Sequence, residues 1–194
     1  MLPPEVVAYY ECGDEQDRLT ARIGRIEWAR TWDLLQRHLP APPATVLDVG
    51  GGPGAYAIPL ALAGHRVHLV DAMPLHVQQA RDAAGTTLAS AEVGDARALA
   101  FPDTSADAVL LLGPLYHLLE AAERDAALAE ARRVLRPGGV VMVGIEGPGR
   151  LLADVDDWLD DPDRREWLLH QLRRVEAEPS LLGASQHVMA VADK

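Results

Sequence analysis

Several things are scarce in this sequence. One cysteine, Cys12, stands among 194 residues. No internal disulfide can form, and the lone thiol is read as inert. No apolar run is long enough to span a bilayer. The start, "MLPPEVVAYYECGDEQ", lacks a basic segment followed by an apolar one, so no export leader is expected and the reading is cytoplasmic. Positive charge is also short: 18 Lys and Arg face 29 Asp and Glu, a net charge of −11. That balance argues against a nucleic-acid binder, which usually needs a basic face, and against docking on anionic lipid. There is no internal repeat and no low-complexity linker. His38, His65, His68, His76, His170 and His187 show no metal-ligand spacing, so no metal is expected.

What is present is an ordinary core. Hydrophobic residues make up 48% of the chain, enough for one domain of this length with a substantial interior. Residues 14–39 carry apolar positions at helical spacing, and "LPAPPA" ends them. "TVLDV" reads as a short buried strand. "GAYAIPLALAG" reads as a helix closed by Gly64 and kinked at Pro59. "HRVHLVD" is a second strand, and "PLHVQQARDAAG" a helix with Pro74 in its first turn. "LASAEVGDA" ends a third strand. "ADAVLLLG", apolar almost throughout, is a fourth strand buried on both faces. "RDAALAEARRVLRPGG" is a helix with a proline-glycine stop, and "VVMVGI" a fifth strand. Strands alternating with helices imply a doubly wound, mostly parallel α/β sheet. The C-terminal stretch reads as one or two helices, with Asp161 as cap and Pro162 at the first helical position. Trp158 and Trp167 are read as anchors for these helices, and the acidic run 154–163 as a solvated face. "SQHVMAVA" reads as a closing strand.

The most informative stretch is "VLDVGGGPG", residues 46–54. Glycine inside ordered structure is costly, so it is expected where a ligand must approach the backbone. A glycine-rich turn after a first strand offers backbone N–H groups to a nucleotide-like ligand. Asp71, about twenty residues on, ends the second strand, where an acid accepts hydrogen bonds from ribose hydroxyls. Two cofactors compete. Gly50, Gly52 and Ala55 satisfy the dinucleotide pattern G-x-G-x-x-A, a weak signal alone. Asp48, Gly50, Gly52 and Gly54 also satisfy D-x-G-x-G-x-G. A carboxylate at Asp48 is poorly placed beside a pyrophosphate and better suited to a cofactor carrying positive charge. Asp107, at the start of a strand, is read as a turn or cap residue.

These motifs, in this order, resemble those of class I S-adenosylmethionine-dependent methyltransferases, along essentially the whole chain. "VLDVGGGPG" is similar to the family's first motif. By the resemblance Asp48, Gly50, Gly51, Gly52 and Gly54 bind S-adenosylmethionine. Asp71 in "HLVDAMP" matches the ribose-binding acid, followed by Ala72 and Met73. "VGDARAL" resembles the adenine-binding segment, with Gly94, Asp95 and Ala96. "DAVLLLGPLYHLLE" resembles the fourth-strand motif, with Leu112 toward the cofactor and Tyr116 and His117 near the transferred methyl. His117 is a candidate base, and both residues equally fit a role in lining the pocket. "YYECGDEQDRL…GRIEWART" resembles a cofactor-covering helix. Tyr9 and Tyr10 are candidate lid residues, and Arg30 a candidate partner for the cofactor's carboxylate or a surface ion pair. The implied layout is one domain over 1–194: covering helices at 1–40, a cofactor core at 44–145, and C-terminal helices with a closing strand at 146–194.

The chain departs from the family pattern in one place. Proteins resembling it carry a further helix, acceptor-covering segments and a sixth strand after strand five. Here "VVMVGI" runs straight into "EGPGRLLADVDDWL". The expectation is six strands in the order 3-2-1-4-5-7, with the last antiparallel to strand five. Three readings follow: methyl transfer to a small molecule, cofactor binding without turnover because the acceptor-covering segment is missing, and a nicotinamide-dependent reductase, which Pro53 and Asp95 count against. The new sheet edge makes a homodimer a candidate partner arrangement.

Overall fold

The computed structural model describes residues 4–11, 18–19, 23–143, 155–176 and 190–194. Cys12, the "GIEGPG" stretch and the first part of the proposed closing strand lie outside them, as does the Tyr9 side chain. The elements in chain order are α1 (Pro4–Glu11), α2 (Ile23–His38), β1 (Thr45–Val49), α3 (Ala57–Leu62), β2 (Arg66–Asp71), α4 (Pro74–Ala84), β3 (Ser90–Val93), β4 (Ala106–Leu110), a 3₁₀ turn (Pro114–His117), α5 (Ala121–Val134), β5 (Leu135–Val143), α6 (Val155–Asp160), α7 (Pro162–Val175) and β6 (Ala190–Asp193). They group into two compact units. One comprises Met1–Gln16, Leu39–Val143 and Ala190–Lys194, the other Asp17–His38 and Gly144–Met189.

The first unit is built on a six-stranded sheet in the order β3-β2-β1-β4-β5-β6. The first five strands run parallel, and β6 pairs antiparallel with β5, Val140 opposite Asp193 and Val143 opposite Ala190. This is the expected Rossmann-like α/β sheet of six strands with an antiparallel last strand. Its centre is dry because its strands are covered on both faces: Val46, Leu47, Val67, Leu69, Val109 and Leu110 are all fully buried. Each such side chain contributes about 1.5–3 kcal/mol of transfer free energy. Asp107 ties the amino end of β1 to β4 by accepting the Thr45 N–H (2.8 Å) and the Arg136 guanidinium, a structural tie and no part of a ligand site.

Four local expectations change. Of the helix read over 14–39, Ile23–His38 is helical among the described residues, and Arg18 and Leu19 lie in a turn. A Cβ on Gly24 would lie 1.9 Å from the Arg18 carbonyl oxygen, so the chain folds back on its helix there. Pro59 does not kink α3. The helix starts at Ala57, so proline sits in the first turn, where its missing N–H has no intrahelical partner to lose. The "RPGG" stop is absorbed in β5 as a bulge: Ala106 pairs with Leu135 and Ala108 with Val140, and Gly138 at φ +78° carries the extra residues. The tryptophans divide. Trp158 is half-buried beside Ile26, Leu159, Leu168 and Leu172, whereas Trp167 is 55% exposed, its ring 5.5 Å from that of Trp158.

The second unit holds α2, α6 and α7. Asp161 caps α7, accepting the N–H groups of Asp163 (2.9 Å) and Arg164 (3.1 Å), with Pro162 at the first helical position. The acidic run is partly paired, since Asp156 and Asp160 both accept from Arg25. Arg30 is buried and donates to Asp33 (2.8 Å) and to Glu176. Asp33 also accepts from Arg173, and Glu176 from Arg37. Burial alone would push Glu176 up, but its hydrogen bonds to Arg37 and Arg30 outweigh it and hold the carboxyl at about 2.

Candidate functional site

Four chain segments meet at the carboxyl ends of the central strands, where ligands of doubly wound sheets bind. The first is the glycine loop. Gly50, Gly52 and Gly54 have φ of +74°, +55° and +94°. Gly50 donates to the Val70 carbonyl (2.7 Å), and Gly54 N–H closes onto Gly51 (3.0 Å), so the loop turns back across the end of β2. A Cβ on Gly50 would meet Pro114 at 2.6 Å, and one on Gly51 would meet the Asp48 carboxylate at 2.7 Å. Around Gly52 such a Cβ meets nothing within 4 Å. The first two glycines serve packing, and the third faces open space. Gly50→Ala is therefore expected to lower stability by about 1–3 kcal/mol from left-handed strain, with further loss from the clash. A thermal melt beside wild type reads it, and Gly52→Ala should fall less.

Asp71 organises the site. Its Oδ2 accepts the Gly52 N–H and its Oδ1 the Met73 N–H, both at 2.8 Å. His76 Nδ1, from the first turn of α4, lies 3.2 Å from Oδ1. Gly94 N–H donates to the Asp71 carbonyl (2.9 Å), which brings the third segment alongside. A Cβ on Gly94 would strike Val70 at 2.7 Å, so glycine is required for that approach. Next to it, Asp95 is held by Arg97, whose N–H and guanidinium engage both carboxylate oxygens. That pairing keeps the Asp95 carboxyl below its ordinary range. Oδ2 takes one of these donors and retains a lone pair for another. Ala96 is buried, Ala72 exposed, Met73 buried, and Leu112 half-buried beyond the end of β4.

Asp48 is the electrostatic anomaly. It is 1% exposed, and its Oδ2 has no hydrogen-bond partner. Burial, with the nearby Asp71 charge second, pushes its carboxyl up to about 7 against a single opposing backbone hydrogen bond at Ala57. An orphaned buried carboxylate costs free energy unless something positive or donating reaches it.

The fourth segment follows β4. Tyr116 is 53% exposed and His117 half-buried in the 3₁₀ turn. His117 Nε2 lies 2.8 Å from Tyr10 Oη of α1. The Tyr10 ring packs edge-on against His117 (5.5 Å) and His76 (4.8 Å). The structure thus brings together Asp48, the glycine loop, Asp71, Met73, Gly94, Asp95 and His117 with Tyr10. Arg30 is engaged by the carboxylates of its own unit. Two residues were missed by sequence reasoning, His76 and Arg97. Each has a local signal, lying five residues after Asp71 and two after Asp95. Among the described residues no cluster of His, Cys, Asp and Glu is arranged to hold a metal, and no helix is long and apolar enough to cross a membrane.

A glycine loop after β1, an acid at the end of β2 and a neighbouring turn after β3 define a Rossmann-like domain for a nucleoside-bearing cofactor. Residues 46–139 match the family described as methyltransferase domain. The demethylmenaquinone methyltransferase of Deinococcus radiodurans is 40% identical over 101 residues, covering 50% of this chain and 41% of that one. Among solved structures, an S-adenosylmethionine-dependent methyltransferase of Methanosarcina mazei shares 25% identity at a TM-score of 0.53, over 68% of this chain and 66% of that one. A Pyrococcus horikoshii protein shares 28% at 0.62, over 70% and 64%. The chain spans 34%, 60% and 41% of three curated relatives it matches, less than two thirds of each. Match, fold and relatives identify the core of this chain as a class I S-adenosylmethionine-dependent methyltransferase domain.

Proposed function

We propose that this chain transfers a methyl group from S-adenosylmethionine to a small-molecule acceptor. The observation that carries the reading is the pair of carboxylates at the mouth of β1 and β2. Asp48 presents a buried oxygen with no partner, and Asp71 adds negative charge beside it. A cationic cofactor relieves both, whereas the pyrophosphate of a dinucleotide adds to the repulsion. The residues therefore fit S-adenosylmethionine and disfavour the nicotinamide reading. Asp71, already aligned by Gly52 and Met73, takes the ribose hydroxyls. Gly94, Asp95, Ala96 and Leu112 would hold the adenine. Gly52 leaves the loop backbone bare on the cofactor side, and Asp48 faces its positive end. When bound, the cofactor supplies an electrophilic methyl on a sulfonium. The remaining work of the chain is to hold an acceptor in line with it, which alone supplies several kcal/mol. Arg30, bound to Asp33 and Glu176, is assigned to the architecture of its own unit.

Isothermal titration of the purified chain with S-adenosylmethionine and with S-adenosylhomocysteine tests the reading. Micromolar binding is expected for both. A folded chain that binds neither at millimolar ligand contradicts it. Binding without transfer to any acceptor would leave the alternative, a cofactor-binding module without turnover.

A further inference from the structure

The position of Tyr10 carries a statement about the acceptor. Its hydroxyl lies 2.8 Å from His117 Nε2, and its ring is clasped edge-on between two imidazoles, His117 at 5.5 Å and His76 at 4.8 Å. A neutral imidazole with its proton on Nδ1 accepts a phenol O–H in this arrangement, the tautomer being an assignment. His76 lies against Asp71, and His117 ends the segment beyond β4. The phenol thus sits between the proposed ribose acid and the proposed acceptor side. Tyr116 and Leu119, one residue before and two residues after His117, stand 53% and 73% exposed and give this stretch of chain an apolar lip.

We propose that the acceptor is a phenol, that His117 is its general base, and that Tyr10 is a stand-in from the chain itself, occupying the place the acceptor's hydroxyarene takes. This rests on the methyl-transfer reading above. The chemistry matches the base. A histidine is far better placed to take a proton from a phenol, whose ordinary pKa is about 10, than from an aliphatic alcohol. A phenol must shed that proton to be methylated on oxygen. The apolar lip suits an aromatic body. In the step, His117 Nε2 takes the phenol proton and the phenol oxygen bonds the methyl carbon. The methyl–sulfur bond breaks, and sulfur keeps its electron pair. Nothing is oxidised or reduced.

The test uses the full chain with S-adenosylmethionine and three probes: 4-methylphenol, 4-nitrophenol, which is largely ionised at pH 8, and benzylamine. The expected result is methylation of both phenols and not of the amine. His117→Gln should lower kcat for 4-methylphenol about 100-fold, the low end of general-base contributions. It should leave 4-nitrophenol, which needs no base, nearly unaffected, and S-adenosylhomocysteine affinity intact. Tyr10→Ala, which vacates the place, should lower KM for 4-methylphenol about fivefold, the worth of one competing neutral hydrogen bond. Transfer to benzylamine alone, no transfer to either phenol, equal slowing of both phenols by His117→Gln, or a higher KM in Tyr10→Ala each overturns the proposal. Failure of the wild type to bind S-adenosylhomocysteine instead overturns the methyl-transfer reading beneath it.

Discussion

Asp71→Ala is expected to weaken S-adenosylhomocysteine binding at least 100-fold. The carboxylate accepts two backbone N–H groups, from Gly52 and Met73, at 2.8 Å, and both become unmade bonds in the variant. Each hydrogen bond to a charged group contributes about 1.5–3 kcal/mol. The ribose contacts proposed for the same oxygens are lost as well. The loop keeps the Gly50 bond to Val70 but loses the tie at Gly52, so the site is loosened and not merely stripped of a ligand contact. Asp71→Asn separates the two effects. One oxygen remains to accept, so the loop should keep part of its order while affinity still falls. Titration calorimetry on both variants, beside circular dichroism to show that they fold, checks this. Binding by Asp71→Ala within threefold of wild type would place the ribose elsewhere.

Asp48→Asn is expected to stabilise the chain, and more so at high pH. The sign follows from linkage. The carboxyl is pushed up to about 7 in the folded state, against about 3.9 in an unfolded chain. Between these values the folded state holds a proton that the unfolded state has released. Stability from this group is therefore full below about pH 4, falls as pH rises toward 7, and is flat above. An amide does not titrate. The gain of Asp48→Asn over wild type should be about 2–3 kcal/mol larger at pH 8 than at pH 5, at 1.36 kcal/mol per pH unit. His65 and His68, both lowered by burial, cancel in the difference between variants. Paired thermal or urea melts at the two pH values read it directly. A pH-independent gain would mean that Asp48 is already ionised at pH 5. The same substitution should weaken cofactor binding, because it removes the charge proposed to meet the cofactor's positive end. A residue that costs the empty protein stability and is kept for its ligand is typical of functional sites.

Much of this was legible along the chain. Period and punctuation placed β1, β2 and β4, because a strand covered on both faces must be apolar throughout. Caps and stops placed the ends of α4 and the start of α7. The glycine run and the acid after β2 marked the loop, because only a backbone without Cβ can make that turn. The antiparallel closing strand followed from the shortened stretch after β5. What failed did so where distant residues decide. The start of α2 depends on Arg18 folding back onto Gly24, and the bulge in β5 on how β4 lies beside it.

The sequence by itself determined the sheet, the glycine loop and the acids at its rim, because hydrophobic period and glycine geometry are local properties. Only the tertiary structure decided how those groups are engaged. It gave Asp71 to Gly52 and Met73, Asp95 to Arg97, and Arg30 to Asp33 and Glu176, and it left one Asp48 oxygen with no partner. It also set Tyr10 against a histidine 107 residues away. Charge pairing and burial depend on which surfaces the folded chain brings together, and for Asp71 with Gly52, Arg30 with Glu176 and Tyr10 with His117 no short window of the sequence contains both partners.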